Sequence, residues 1–309
     1  MAEITAAMVK ELREKTNAGM MDCKKALSAS DGSFDAAVNW LREKGLAAVA
    51  KKAGRVAAEG LVGVVLDGHV AGMVEVNCET DFVAKNPDFQ ELVGTLAKGV
   101  IVGNPANLEA FLAQSINGKP VKELLAEKIA KIGENMTIRR VARFEGALGT
   151  YVHSAVAPGA GAIGVIVELD VADQSKQGHD VVRALAKDLG MQVAASQPMW
   201  LRREQADAKQ LENEKHIARE KARAEGKPEK ILEKIAEGAA NKFLAENILL
   251  EQPFVKDDKL SVQKHVEKTA KELGTTITVK SFTRFKVGEG IEKKADDFAA
   301  EVAKMAGTA

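Results

Sequence analysis

GLVGVVLDGHVAGMVEVN, residues 60–77, and TYVHSAVAPGAGAIGVIVELD, residues 150–170, decide the fold. Each is a pair of β-type runs around a turn signal, Asp67-Gly68 in the first and Pro158-Gly159 in the second. Their second strands end alike, in Val74-Glu75-Val76-Asn77 and Val167-Glu168-Leu169-Asp170, 93 residues apart. A helix is predicted after each hairpin, FQELVGTLAKG from Phe89 and HDVVRALAKDLG from His179, where Glu91 and Asp180 match at a spacing of 89. A third strand closes each copy, TIRRVARFEG at 137–146 and TITVKSFTRFKVG at 276–288, with Arg143-Phe144 and Arg284-Phe285 spaced by 141. The pattern is a diverged internal repeat and an α+β core; the rival reading is coincidence between two common β-β-α patterns.

The unequal spacings locate two insertions. The first copy carries four extra residues between its second strand and its helix, a loop holding Thr80, Asp81, Phe82 and Val83. The second carries 52 more before its third strand, around 201–252. That segment opens with densely charged LRREQADAKQLENEKHIAREKARAE, turns at Gly226-Lys227-Pro228 and returns as PEKILEKIAEGAANKFLAENILL. Glycine suits a helix end and proline a helix start, so two antiparallel helices projecting from the body are expected.

Residues 1–45 read as three short helices. Met8, Leu12, Met20, Met21, Ala26 and Leu27 keep helical spacing, Gly19 breaks it, and Asp31-Gly32 turns the chain into Ser33, a helix cap before Phe34, Ala37, Val38 and Leu41. LAAVAKKAGRVAAE, 46–59, is expected to be a helical linker, and the chain closes with a loop and a terminal helix. The expected units are 1–54, 55–147, a discontinuous 148–200 with 253–286, the inserted 201–252, and 287–309.

Composition narrows the function. Hydrophobic residues at 46% and charged residues at 28% suit a globular protein with a sizeable core. Lys+Arg and Asp+Glu are both 44, so there is no uncompensated basic charge of the kind general nucleic-acid binding draws on. Cys23 and Cys78 form neither a disulfide framework nor a metal knuckle. No signal peptide and no ~20-residue apolar span is read, and the cytoplasm is expected.

Catalytic motifs are poor. Gly159-Ala160-Gly161-Ala162-Ile163-Gly164 matches GxGxxG, but a β-like run follows where dinucleotide binding needs a helix, so a hairpin turn is expected. His69, His153, His179, His216 and His265 show no metal-ligand spacing, and no GxSxG is present. On the inserted hairpin, Arg202, Arg203, Lys215, Arg219, Lys221 and Arg223 could meet RNA. Glu204, Glu212, Glu214, Glu220 and Glu225 interleave with them, which favours a solvated helix face. Two readings of Phe82 stand open: a core anchor, as aromatics usually are, or a functional group on a loop free of shared structural duty.

KELREKTNAGMMDCKKAL at 10–27, VEVNCETDFVAKN at 74–86, KIGENMTIRR at 131–140, QPFV at 252–255 and VGEGIEKK at 287–294 occur in order along nearly the whole chain. Together they resemble the bacterial elongation factor Ts family. The resemblance implies an N-terminal module like a ubiquitin-associated domain, two related antiparallel-sheet-plus-helix subdomains, an inserted helical hairpin and a short C-terminal module. It implies a guanine-nucleotide exchange factor that binds elongation factor Tu and displaces Mg²⁺ and GDP. Such a protein is not a catalyst of bond chemistry, and no cofactor, membrane or direct nucleic-acid contact is implied, although a homodimer is allowed. Thr80, Asp81, Phe82 and Val83 match the segment assigned to Mg²⁺ displacement. Met20 and Met21 match contacts to the partner's GTPase domain, and Ile132, Gly133 and His153 match further contacts. Gln192 departs from the pattern, since the family commonly has histidine there, whereas the following residues through Ser196 and Pro198 fit.

Overall fold

The computed structural model describes residues 4–16 and 18–292, with the side chains of Leu46 and Ala48 left aside; the terminal helix expected near the end lies outside the described residues. Three helices come first: α1 (Ala6–Thr16), α2 (Met20–Ala29) and α3 (Phe34–Lys52). Ser33 caps α3 by accepting from the Ala36 amide at 3.4 Å. Val9, Leu12, Cys23, Ala26, Leu27 and Ala37 form a small core of their own.

The expected linker divides differently. α3 continues to Lys52 and the first strand begins at Glu59. Alanine-rich sequence sustains a helix, and Lys51 and Lys52 suit its last turn. The extension is also held from outside, because Val49 packs against the core of the neighbouring half.

That half contains β1 (Glu59–Asp67), β2 (Val70–Cys78), a one-turn α4 (Asp81–Ala84), α5 (Pro87–Gly103), α6 (Leu108–Leu112), the short pair β3 (Ser115–Ile116) and β4 (Lys119–Pro120), α7 (Val121–Ile132) and β5 (Met136–Glu145). The other half contains β6 (Ala147–Ala157), β7 (Ala160–Val171), α8 (Asp180–Ser196), α9 (Ala208–Ala224), α10 (Glu229–Asn247), β8 (Pro253–Phe254), β9 (Asp257–Ser261), α11 (Val262–Leu273) and β10 (Ile277–Lys286). The Pro158-Gly159 stretch is a β6–β7 turn, and the GxGxxG match runs into strand β7.

Both halves build outward in the same order. β5 pairs with β2, and β10 pairs with β7, each antiparallel. Gly72 faces Arg143 in one and Val165 faces Arg284 in the other, the same 93 and 141 spacings read from the sequence. Bulges fall at Arg139 of β5 and Lys280 of β10. Each bulged strand grips a buried glutamate on the central strand. Arg139 and Arg140 bind Glu75, while Lys280 and Ser281 bind Glu168. Glycine recurs where a helix crosses the first strand. A Cβ on Gly63 would lie 2.5 Å from Val93 of α5, and one on Gly149 would lie 2.4 Å from Ala186 of α8.

The strands of both halves are hydrogen-bonded into one six-stranded sheet, a join the sequence did not indicate. Val62 and Gly63 of β1 pair with Gly161 and Ala160, at the start of β7 beyond the end of its pairing with β10. A shared core of Val62, Val64, Ala71, Met73, Leu148, Ile166 and Phe285 backs the join. α5 and α8 complete a separate core in each half.

α9 and α10 pair antiparallel as expected and bury Ala222, Leu232, Ala236, Ala240 and Leu244 along their seam. Their base is tied by amides of Met199 and Trp200 donating to the Asn247 carbonyl and by Leu249 donating to Trp200. The residues that belong to the main core, Leu201 and Leu249, lie outside the helices. Replacing 204–247 with a short Gly/Ser linker should therefore leave soluble protein with one cooperative unfolding transition. Loss of all folded protein would mean that the helices themselves complete the core.

Candidate partner interface

β2 ends at Cys78, and Glu79-Thr80 leads into α4, a helical turn where the sequence suggested a loop. The turn forms because Val83 and Ala84 dock into the core of the first half while Asp81 supplies an acid to its N-terminal end. Burying that face turns the other outward. Phe82 is 78% exposed, and it is the one exposed Phe, Tyr or Trp among the described residues. Lys85 braces it, with its ammonium 5.8 Å from the ring centroid and 2.8 Å from Asp81 Oδ2. The Lys85 hydrogen bond holds the Asp81 carboxyl below the usual range, so Asp81 stays charged beside the ring. Of the four residues matched to Mg²⁺ displacement, Asp81 and Phe82 present side chains outward; Val83 is buried and anchors them.

Thr80 is fixed from α7. That helix ends at Ile132 because Gly133 adopts φ +92°, a left-handed conformation that glycine enters without penalty. The turn delivers Glu134, whose Oε2 accepts from the amides of Glu79 at 3.1 Å and Thr80 at 3.0 Å. Its Oε1 accepts from the Thr80 hydroxyl at 2.7 Å. Glu79 answers in the opposite sense: its Oε1 accepts from the Asn135 amide at 2.5 Å and pairs with Arg55 at 3.4 Å. Asn135 Nδ2 donates to the Arg55 carbonyl at 2.7 Å. The buried Cys78 Sγ donates to the Thr80 carbonyl at 3.2 Å. Burial pushes this thiol up to about 12, so it remains a protonated donor.

The structure thus brings Thr80–Val83 together with Ile132 and Gly133. Glu79, Glu134 and Asn135, which hold the two segments, were not singled out from the sequence. They sit inside the quoted CETDF and KIGEN runs, but a residue's partner 55 positions away is invisible to local pattern. Met20 and Met21, 59% and 63% exposed, start α2 behind Gly19. Gly19, Asp22 and Lys44 share a groove of about 490 Å³ with Glu127, Lys128 and Lys131 of α7, so the start of α2 and the end of α7 border one space. His153 lies exposed on β6 in the other half, with its Nδ1 3.4 Å from the Tyr151 hydroxyl.

Gln192 is fully buried and has the role of a connector. Its amide nitrogen donates to Ser196 Oγ, Gln252 Oε1 and the Pro253 carbonyl, and its oxygen accepts from the Val255 amide at 2.7 Å. It ties α8 to the QPFV run. On the hairpin, Arg219 pairs with Glu212 and Glu233, and Arg223 with Glu220 and Glu229, so these cations are matched within the hairpin. Among the described residues no group of His, Cys, Asp and Glu is arranged to hold a metal, and no helix is long and apolar enough to cross a membrane.

A family model described as Elongation factor TS matches residues 79–289. A protein named elongation factor Ts from Sphingopyxis alaskensis is 51% identical over 99% of this chain and 100% of its own length. Namesakes from Syntrophotalea carbinolica and Zymomonas mobilis are each 50% identical, over 98% and 99% of this chain and 99% and 100% of their own.

Proposed function

This chain belongs to the elongation factor Ts family, and we propose that it is the guanine-nucleotide exchange factor for elongation factor Tu, acting in the cytoplasm. The observation that carries the reading is Phe82, an aromatic held outward on a helical turn whose other face is anchored in the core. Aromatic side chains presented this way are the usual anchors of protein interfaces.

The mechanism follows from linkage. An exchange factor shifts its partner only if it binds the nucleotide-free form more tightly than the GDP form. Mg²⁺ demands near-ideal octahedral geometry around the nucleotide phosphates. Phe82, with Asp81 and Lys85 beside it, is a wedge that moves the partner's loops around that ion, and loss of Mg²⁺ loosens GDP. By reciprocity, GDP weakens the complex by the same factor. Met20, Met21, Ile132, Gly133 and His153 supply further contacts that hold the partner. The matched bulges and buried glutamates support reading 55–147 and 148–200 with 253–286 as two related subdomains, with 1–54 a ubiquitin-associated-like module.

The test is co-elution of the purified protein with elongation factor Tu, dissociation of the pair by GDP plus Mg²⁺, and accelerated release of fluorescent GDP. Absence of both binding and acceleration would overturn the proposal. An RNA-binding role would instead show RNA affinity falling steeply with salt.

Met20 and Met21 are flexible apolar groups suited to an interface. Met20→Ala with Met21→Ala should raise the concentration needed for half-maximal exchange several-fold and leave the saturated rate near wild type. An unchanged concentration dependence in stopped flow would remove these residues from the interface.

A further inference from the structure

We infer that Glu134 is a positioning residue for Phe82, and that with Glu79 it forms a two-way bracket setting the pose of the exchange wedge; this rests on the exchange-factor reading above. The geometry is reciprocal. The Glu134 carboxylate, from beyond α7, binds the backbone at Glu79 and Thr80, and the Glu79 carboxylate binds the backbone at Asn135. Each acid satisfies amides of the other's segment, so neither can shift without releasing the other. Hydrogen bonds to charged acceptors are stronger than neutral ones, and three converge on Glu134.

The bracket fixes what the helical turn cannot fix for itself. Thr80 stands at the N-cap of α4 and makes no side-chain cap bond; its hydroxyl donates to Glu134. A four-residue turn is too short to persist alone. Val83 and Ala84 hold one end, and Glu134 holds the other, two residues before Phe82. The bracket also reaches the chain that leaves the N-terminal helices. Arg55 pairs with Glu79, and its carbonyl accepts from Asn135. The Ile132-Gly133 turn, itself matched to a partner contact, directly precedes Glu134. Movement of that turn by a bound partner would therefore be passed to Phe82 through the paired carboxylates of Glu134 and Glu79.

The experiment compares Glu134→Ala, Glu134→Gln, Glu134→Asp, Phe82→Ala and the double variant Glu134→Ala/Phe82→Ala in fluorescent-GDP release from elongation factor Tu. Amide hydrogen exchange over 78–86 is measured on the free proteins. Glu134→Ala should lower the saturated release rate about 10-fold, the effect of roughly one charge-assisted hydrogen bond. The half-maximal concentration should change less. Exchange at the Glu79 and Thr80 amides should rise while Cys78, the last residue of β2, stays protected. Glu134→Gln keeps an oxygen for the two amides and should recover most of the rate. Glu134→Asp keeps the charge but withdraws the carboxylate; it should be slow, and it carries the test if Glu134→Ala does not fold. Because Glu134 acts through Phe82, the double variant should be no slower than Phe82→Ala alone. Additive losses, or unchanged amide exchange, would overturn the bracket. Wild-type release by Phe82→Ala would instead remove the wedge reading beneath it.

Discussion

Phe82→Ala should slow GDP release from elongation factor Tu by roughly 30-fold while leaving the thermal midpoint nearly unchanged. Truncating an aromatic interface anchor costs ~2 kcal/mol or more, which corresponds to that factor. The fold should not notice, because the ring is 78% exposed and exposed substitutions usually stay within about 0.5 kcal/mol. Phe89, fully buried in the first half, gives the contrast: its truncation should destabilise by ~3–5 kcal/mol. Asp81→Ala should also slow release, by a smaller factor, since Asp81 holds Lys85 over the ring. Fluorescent-GDP release measured beside thermal unfolding separates the outcomes. Wild-type release would end the wedge reading. Slow release with a collapsed midpoint would make Phe82 structural.

Glu75→Ala should destabilise the protein by about 3 kcal/mol, the low end for breaking a buried charge pair. Glu75 is fully buried and accepts from Arg139, Arg140, Asn77 and the Gly288 amide. Removing it takes a buried acceptor from two guanidinium groups and two neutral donors, although Arg139, Arg140 and Asn77 each keep a second acceptor. The low end applies because Arg139 and Arg140 are each 30% exposed and can rehydrate. Glu168 occupies the equivalent place in the other half, yet its Lys280 partner is 61% exposed. Glu168→Ala should cost clearly less. Urea unfolding of both variants checks the order, and equal losses would mean that burial of the partners does not decide the cost.

The two glutamates show how far local pattern carries. Their Val-Glu motifs, 93 residues apart, marked the likeness of two hairpin, helix and third-strand stretches, while the pairing of each third strand came from the structure. That both acids are buried and held by a bulged third strand is a matter of register, and register depends on strands more than 60 residues away. The hairpin inserted before β10 was legible because charge density and a Gly-Lys-Pro turn are local signals. Helix over 46–52 was legible from its alanines, but its continuity with α3 was not, since the last turns are held by contact with another half.

For Phe82 the division is sharpest. By itself the sequence indicated an α+β chain with two similar β-β-α stretches, a charged helical hairpin, no local catalytic signature and the family resemblance, because hydrophobic period, turn chemistry and motif order are written within a few residues. It placed an aromatic and an acid together and left open whether the ring turned inward. Only the tertiary structure decided that, through Val83 and Ala84 entering the core and Glu134 gripping Thr80. It also decided that both halves share one sheet, through β1 meeting the start of β7 on the edge that β10 leaves open. Burial and long-range hydrogen bonding depend on which distant segments come together, and no local pattern encodes the partner.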